Sequence, residues 1–233
     1  MTLVLAPRPL DSILISTKLF NLDMKYFSIR TTILLSFIIV STSTIAQNSE
    51  PLTTGPENGT LMVVGGGGLG DQLVQKFVEL AGGTDAKIVY IPTAGGRDKY
   101  SQDHKDYNLA VRFMNAGAKA VTVLHTKDQA EANSEEFTSQ LSTATAVWFS
   151  GGRQWRLVDS YKDTKAEEMF WQVLERGGVI GGSSAGATIQ GSYLARGDTK
   201  NNQIMMGDHE QGFAFIKNIA IDQHVIARNR HLI

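Results

Sequence analysis

The chain of 233 residues contains no cysteine, so it can form no disulfide, build no thiolate metal site and carry no cysteine nucleophile. It also lacks any surplus of charge, with 22 Lys and Arg against 23 Asp and Glu and a formal net charge of −1. That balance leaves no electrostatic footprint for nucleic acid or anionic lipid, both of which need clustered basic side chains. A charged polymer would have to be held by a local site. The apolar run from Ile33 to Val40 is far shorter than the roughly 20 residues of a membrane span. The five histidines include no pair at metal-ligand spacing, so neither a metal nor another cofactor is expected.

What remains, 42% hydrophobic and 19% charged side chains, is the composition of an ordinary globular protein, and the length makes one domain the default. A core can form without staples.

Met24 to Arg30 supplies a short basic region, Ile33 to Val40 an apolar stretch, and Thr44 with Ala46 the small residues of a cleavage pocket, which together read as an export signal cut after Ala46. Residues 1–23 lie upstream without clear pattern, so translation is expected to start at Met24. Gln47 to Thr60 is rich in Ser, Thr, Pro, Gly and Asn and reads as a flexible leader, with the folded domain covering 61–233. An exported protein with no membrane contact after cleavage is therefore expected.

From Leu61 onward extended and helical patterns alternate. Extended stretches are expected at Leu61 to Val64, Lys87 to Ile91, Ala120 to Leu124, Ala144 to Phe149 and Gly178 to Ile180; helices at Asp71 to Leu80, Asp103 to Ala116, Glu131 to Gln140 and Thr164 to Arg176. This order predicts an α/β fold, a three-layer sandwich with a mostly parallel sheet and helices on both faces. The strands are continuous apolar runs, as both-face burial requires. Ligands in such sheets sit beyond the carboxyl ends of the strands.

The last of these strands runs into Gly181-Gly182-Ser183-Ser184-Ala185-Gly186-Ala187, a G-x-S-x-G pentapeptide centred on Ser184. A serine on a tight strand-to-helix turn needs small neighbours, and the helix that follows offers free amides to a developing oxyanion. Ala185 is the first expected donor and Gly152, in the loop after Phe149, the second. Serine alone is a poor nucleophile and needs a base. His224 is chosen because it closes Ile219-Ala220-Ile221-Asp222-Gln223-His224, an apolar strand entering a polar cluster. His125, which also ends a strand, competes with it. For the third member of a triad Asp198 is chosen, with Asp208 and Glu210 behind it, because an acid between serine and histidine follows the hydrolase chain order.

Three segments, SGGRQWRL at 150–157, GGSSAGA at 181–187 and DQHVIARNR at 222–230, together resemble cyanophycinases and the related aspartyl dipeptidases. The resemblance covers residues 61–233 and implies a class I glutamine-amidotransferase-like (flavodoxin-like) fold. It implies that Ser184 attacks a carbonyl while His224 shuttles the proton, and that Gln154, Asp222, Gln223, Arg228 and Arg230 line the substrate pocket. Cyanophycin carries arginine on the side-chain carboxylates of polyaspartate. Asp222 would suit its guanidinium, and Arg228 with Arg230 its carboxylate. The expected substrate is therefore a β-aspartyl-arginine peptide, with an α-aspartyl dipeptide as the alternative. The family commonly has a third arginine shortly after the position of Arg230, where this chain has His231-Leu232-Ile233, and Asp or Asn at the position of Arg153. The polypeptide stops where the family continues, so a truncated carboxyl end is expected. A homodimer is left open.

Two other classes compete. Gly65-Gly66-Gly67-Gly68-Leu69-Gly70 satisfies G-x-G-x-x-G between a strand and a helix, the pattern of a dinucleotide-binding protein. The following strand, however, runs into Pro92-Thr93 and offers no ribose-binding acid. A binding protein that kept the fold and lost catalysis is the third.

Overall fold

The computed structural model describes residues 2–5 and 54–230, so the proposed signal segment and residues 231–233 lie outside it. Its framework is a six-stranded sheet in the order β1-β2-β6-β5-β3-β4. The strands are β1 (Thr2–Leu5), β2 (Thr60–Val64), β3 (Lys87–Ile91), β4 (Ala120–Val123), β5 (Ala146–Phe149) and β6 (Val179–Ser183). β2 through β6 pair in parallel. β1 adds an antiparallel strand on the outer side of β2, from a stretch in which the sequence shows no pattern.

Side chains leave the sheet alternately, and each set meets its own helical layer. Met62, Val64, Ile88, Tyr90, Trp148 and Val179 pack with α1 (Asp71–Leu80) and α2 (Asn108–Asn115) through Val74, Phe77, Val78 and Phe113. Leu61, Val63, Val89, Ile91, Val147, Phe149 and Ile180 pack on the other face. They meet α4 (Glu135–Ser142), α5 (Trp155–Tyr161) and α6 (Lys165–Glu175), which contribute Phe137, Leu141, Leu157, Tyr161, Phe170 and Val173. The three-layer expectation is met. Full burial of each large apolar side chain contributes about 1.5–3 kcal/mol, and the two clusters hold the sheet rigid beneath its carboxyl rim.

Several elements differ from the sequence reading, each for a local reason. The helix expected over 131–140 is two, α3 (Gln129–Ala132) and α4, because the Ser134 side chain accepts from the Phe137 amide and starts a fresh helix. Asp103 accepts from the Lys105 amide and initiates a short 3-10 turn before α2, shortening the helix expected from 103. α5 begins at Trp155, where the sequence pattern predicts no helix. After β6 come α7 (Ala185–Thr188), then β7 (Gly191–Tyr193) and β8 (Ile216–Ala220), which form a separate two-stranded sheet. Within the expected leader, Thr54 accepts from the Lys217 amide at 2.7 Å and Thr60 already opens β2.

Candidate active site

β6 lies near the middle of the sheet, and its carboxyl end delivers Ser184 to the rim. Ser184 has φ 55° and ψ −112°, a strained conformation for a non-glycine residue. It is tied down by its own amide, which donates to the Val64 carbonyl at 3.0 Å, and by α7 starting at the next residue. The bend is tight enough that a β-carbon on Gly182 would strike the backbone of Gly186. This is the geometry that the G-x-S-x-G pattern anticipates.

Ser184 Oγ lies 2.9 Å from His224 Nε2. The histidine is held from the opposite side, since its amide donates to the Gly65 carbonyl at 2.8 Å and its ring rests against Gly66. The Gly-rich loop after β2 thus serves as a platform for an imidazole. The G-x-G-x-x-G match needs no dinucleotide to explain it. Burial, reinforced by the charges of Arg228 and Arg230, pushes the His224 imidazole below its ordinary pKa. This shift favours the neutral ring, the form able to take a proton from Ser184.

His125 is not brought here. It follows β4, the edge strand three positions from β6, and three strand spacings amount to roughly 14 Å of sheet. Its Nδ1 is 2.8 Å from Thr93 Oγ1, which in turn is 2.6 Å from the buried Tyr161 hydroxyl.

Behind the elbow, the loop after β5 places Gly151 with its would-be β-carbon 3.4 Å from Ser184 Cβ, so Gly151 and Gly152 run alongside the serine. Ala185, the first residue of α7, has an amide with no intrahelical partner. The Ala185 amide thus adjoins the serine, and Gly152 follows Gly151 in the neighbouring loop.

The other residues expected at the site make contacts within the protein that the sequence does not announce. Asp198 does not meet His224: its carboxylate accepts from the amides of Lys200 and Asn201 at 2.8 and 3.1 Å, the bonding of a turn aspartate. Asp208 is bonded to Thr199 and His209 instead. Among the described residues no carboxylate is hydrogen-bonded to His224 Nδ1. Gln154 is fully buried, and its Nε2 donates to the carbonyls of Ala195 and Arg196 at 2.7 and 2.8 Å. Its amide braces the turn at Ala195 and Arg196. Asp222, expected to receive a substrate guanidinium, receives the protein's own. Arg196 Nε and Nη2 reach its two oxygens at 2.8 and 2.9 Å, and Arg230 Nη1 stands 3.3 Å away. Burial would raise this carboxyl, yet the bonds and charges of the arginines hold it below the usual carboxylate range. Arg230, expected to bind a substrate carboxylate, is buried and committed to Asp222 and the carbonyls of Gln223 and Asn202. Gln223 is buried beside His224. Arg228 alone of the expected arginines is exposed, one helical turn past His224.

Sequence reasoning missed Arg196. Its burial follows from a partner 26 residues away, which no local pattern announces.

A parallel α/β sandwich that presents a serine on a strand-helix bend, with an imidazole in hydrogen-bond contact, has the architecture of serine-type hydrolases. Residues 61–232 match the model of peptidase family S51, and the chain belongs to that family. It is 31% identical over 166 residues to a cyanophycinase of Geminocystis herdmanii, covering 69% of this chain and 59% of that one. It is also 31% identical over 178 residues to a cyanophycinase of Synechococcus elongatus, covering 74% and 54%. The chain thus spans somewhat over half the length of these relatives. The crystal structure of a peptidase from an acI-B1 Actinobacterium shares the fold, with a TM-score of 0.59 at 23% identity over 76% of this chain and 72% of that one.

Proposed function

We propose that the protein is a serine-type peptidase that hydrolyses aspartyl peptide bonds through an acyl-enzyme. Ser184 Oγ attacks the scissile carbonyl carbon as His224 Nε2 takes its proton. The amides of Ala185 and Gly152 hold the resulting oxyanion, and the imidazolium returns the proton to the leaving amine. Water, activated by the same imidazole, then releases the acid product. The observation that carries this reading is the 2.9 Å contact between Ser184 and His224 at a strained bend.

The proposed substrate is a β-aspartyl-arginine peptide, the expectation that accompanies relatives named cyanophycinases. Exposed Arg228 is the group offered to a substrate carboxylate. A second reading, an α-aspartyl dipeptide, is favoured by one observation. Asp222 is already neutralised by Arg196, so no free carboxylate there awaits a substrate guanidinium. Met24 to Ala46 supports action outside the cytoplasm as part of the same proposal.

The test is hydrolysis of β-aspartyl-arginine and of α-aspartyl dipeptides by the parent and by Ser184→Ala. Turnover of either class that vanishes in the folded variant supports the reading. Retained turnover in Ser184→Ala overturns it.

A further inference from the structure

Arg196 makes no contact with Ser184 or His224 in the described hydrogen bonds, yet it joins the two loops that flank them. Its guanidinium has no exposure, and every edge of it is used: Nε and Nη2 fork onto Asp222, and Nη1 donates to the Gln203 carbonyl at 2.7 Å. Its backbone, at φ 59°, is in the left-handed region and is clamped there by the Met205 carbonyl on its amide and by Gln154 Nε2 on its own carbonyl.

Both ends of this assembly lead to the reaction centre. Gln154 follows Gly152 by two residues, and Arg153 Nη2 donates to the Asp198 carbonyl, so the loop that flanks Ser184 is docked on the 195–198 turn. On the other side, Asp222 Oδ1 accepts from the Gln223 amide at 2.8 Å, and Arg230 Nη1 donates to the Gln223 carbonyl at 2.6 Å. The next residue is His224, itself at φ 54°, a conformation that a non-glycine residue keeps only when its surroundings fix it.

We infer that Arg196 is a positioning residue that sets His224 against Ser184 by locking Asp222, and that it fixes the Gly152 loop from the same turn. A planar fork suits this task because two parallel bonds define an orientation as well as a distance. Lysine, a single point charge, would keep the attraction and lose the alignment. The inference rests on the serine-peptidase reading.

The experiment measures phosphonylation of Ser184 by a fluorophosphonate probe, which needs the nucleophile and base but no particular peptide. Rates are expressed per folded molecule, with the folded fraction taken from tryptophan fluorescence. Arg196→Lys is expected to slow phosphonylation about tenfold to hundredfold, the penalty of a small misplacement at a reacting centre. For any peptide turned over, kcat falls and KM stays within about threefold. The double variant Arg196→Lys with Asp222→Glu, whose longer carboxylate restores the reach, regains part of that loss. A merely structural arginine would lower the folded fraction and leave the rate per folded molecule unchanged. Parent-like phosphonylation in Arg196→Lys, or losses in the double variant that simply add, overturns the inference. A parent protein that never labels at Ser184 sinks the peptidase reading and this inference with it, an outcome distinct from the other two.

Discussion

The ring of His224 lies so close to Gly66 that a β-carbon on residue 66 would stand 2.7 Å from Nδ1 and 2.8 Å from Nε2. No side chain fits between that backbone and the imidazole, so Gly66→Ala must push the ring away from Ser184. The expected result is a loss of about a hundredfold in the rate of Ser184 acylation. Gly67, at φ 91°, has open space around it. Gly67→Ala should therefore cost about 1–3 kcal/mol of backbone strain and leave acylation per folded molecule unchanged. Equal losses of rate in both variants would refute the platform role of Gly66.

A second prediction follows from the charges around the base. Burial first, then Arg228 and Arg230, lower the His224 pKa below its ordinary 6.5. The base works only when unprotonated, so activity should rise with pH through a midpoint below 6.5 and stay level above it. Removing a neighbouring positive charge raises the pKa. Arg228→Gln should thus move the acidic limb of kcat/KM to higher pH, and should also raise KM for peptides with a free carboxylate. An unmoved limb would mean that Arg228 exerts no field on the imidazole. The same depressed pKa makes a stability contribution that is present above pH 6.5 and lost as pH falls through the folded-state value.

Much of this was legible in the chain itself. Lys87–Ile91 and Asp71–Leu80 fall where the apolar patterns put them, because those patterns are long and uninterrupted. Ser184 and His224 were legible because each sits where an apolar strand gives way to polar or glycine-rich sequence. The contacts that were not legible share a cause of another kind. Asp222 and Arg230 look like ligand-binding charges when read alone, and only the fold brings Arg196 to them from 26 residues away. The bracing bonds of Gln154 are of the same kind, since its carbonyl partners lie 41 and 42 residues along the chain. The α5 helix was missed because it starts inside a segment whose glycines and arginines mark a loop.

The elbow stands on an aromatic stack, and that stack offers a test of stability separate from chemistry. Phe149, at the end of β5, meets Phe170 edge to face at 5.0 Å and Phe213 at 5.7 Å, all three being buried. Phe170→Ala leaves a cavity in the buried layer that packs on Phe149 and Ile180. It should cost about 3–5 kcal/mol in denaturant unfolding. Labelling of Ser184 in the fraction that remains folded should match the parent. A loss below about 1 kcal/mol would mean that the layer collapses to fill the gap.

Asp198 provides the sharpest separation between what the chain order implied and what the geometry holds. As the acid of a triad it would orient the imidazole, and its replacement by asparagine would cost about 10⁴ in kcat through the wrong tautomer. In the structure its carboxylate instead caps the turn at Lys200 and Asn201, and an asparagine side-chain oxygen can accept the same two amides. Asp198→Asn is therefore expected to keep kcat within about threefold and to lose about 0.5–1.5 kcal/mol of stability, the value of weakened hydrogen bonds to a charged acceptor. The measurement is kcat for the aspartyl peptide together with a urea unfolding curve. A fall of several orders of magnitude in kcat, with stability intact, would restore Asp198 to the triad and require the 195–201 turn to swing toward His224 during catalysis.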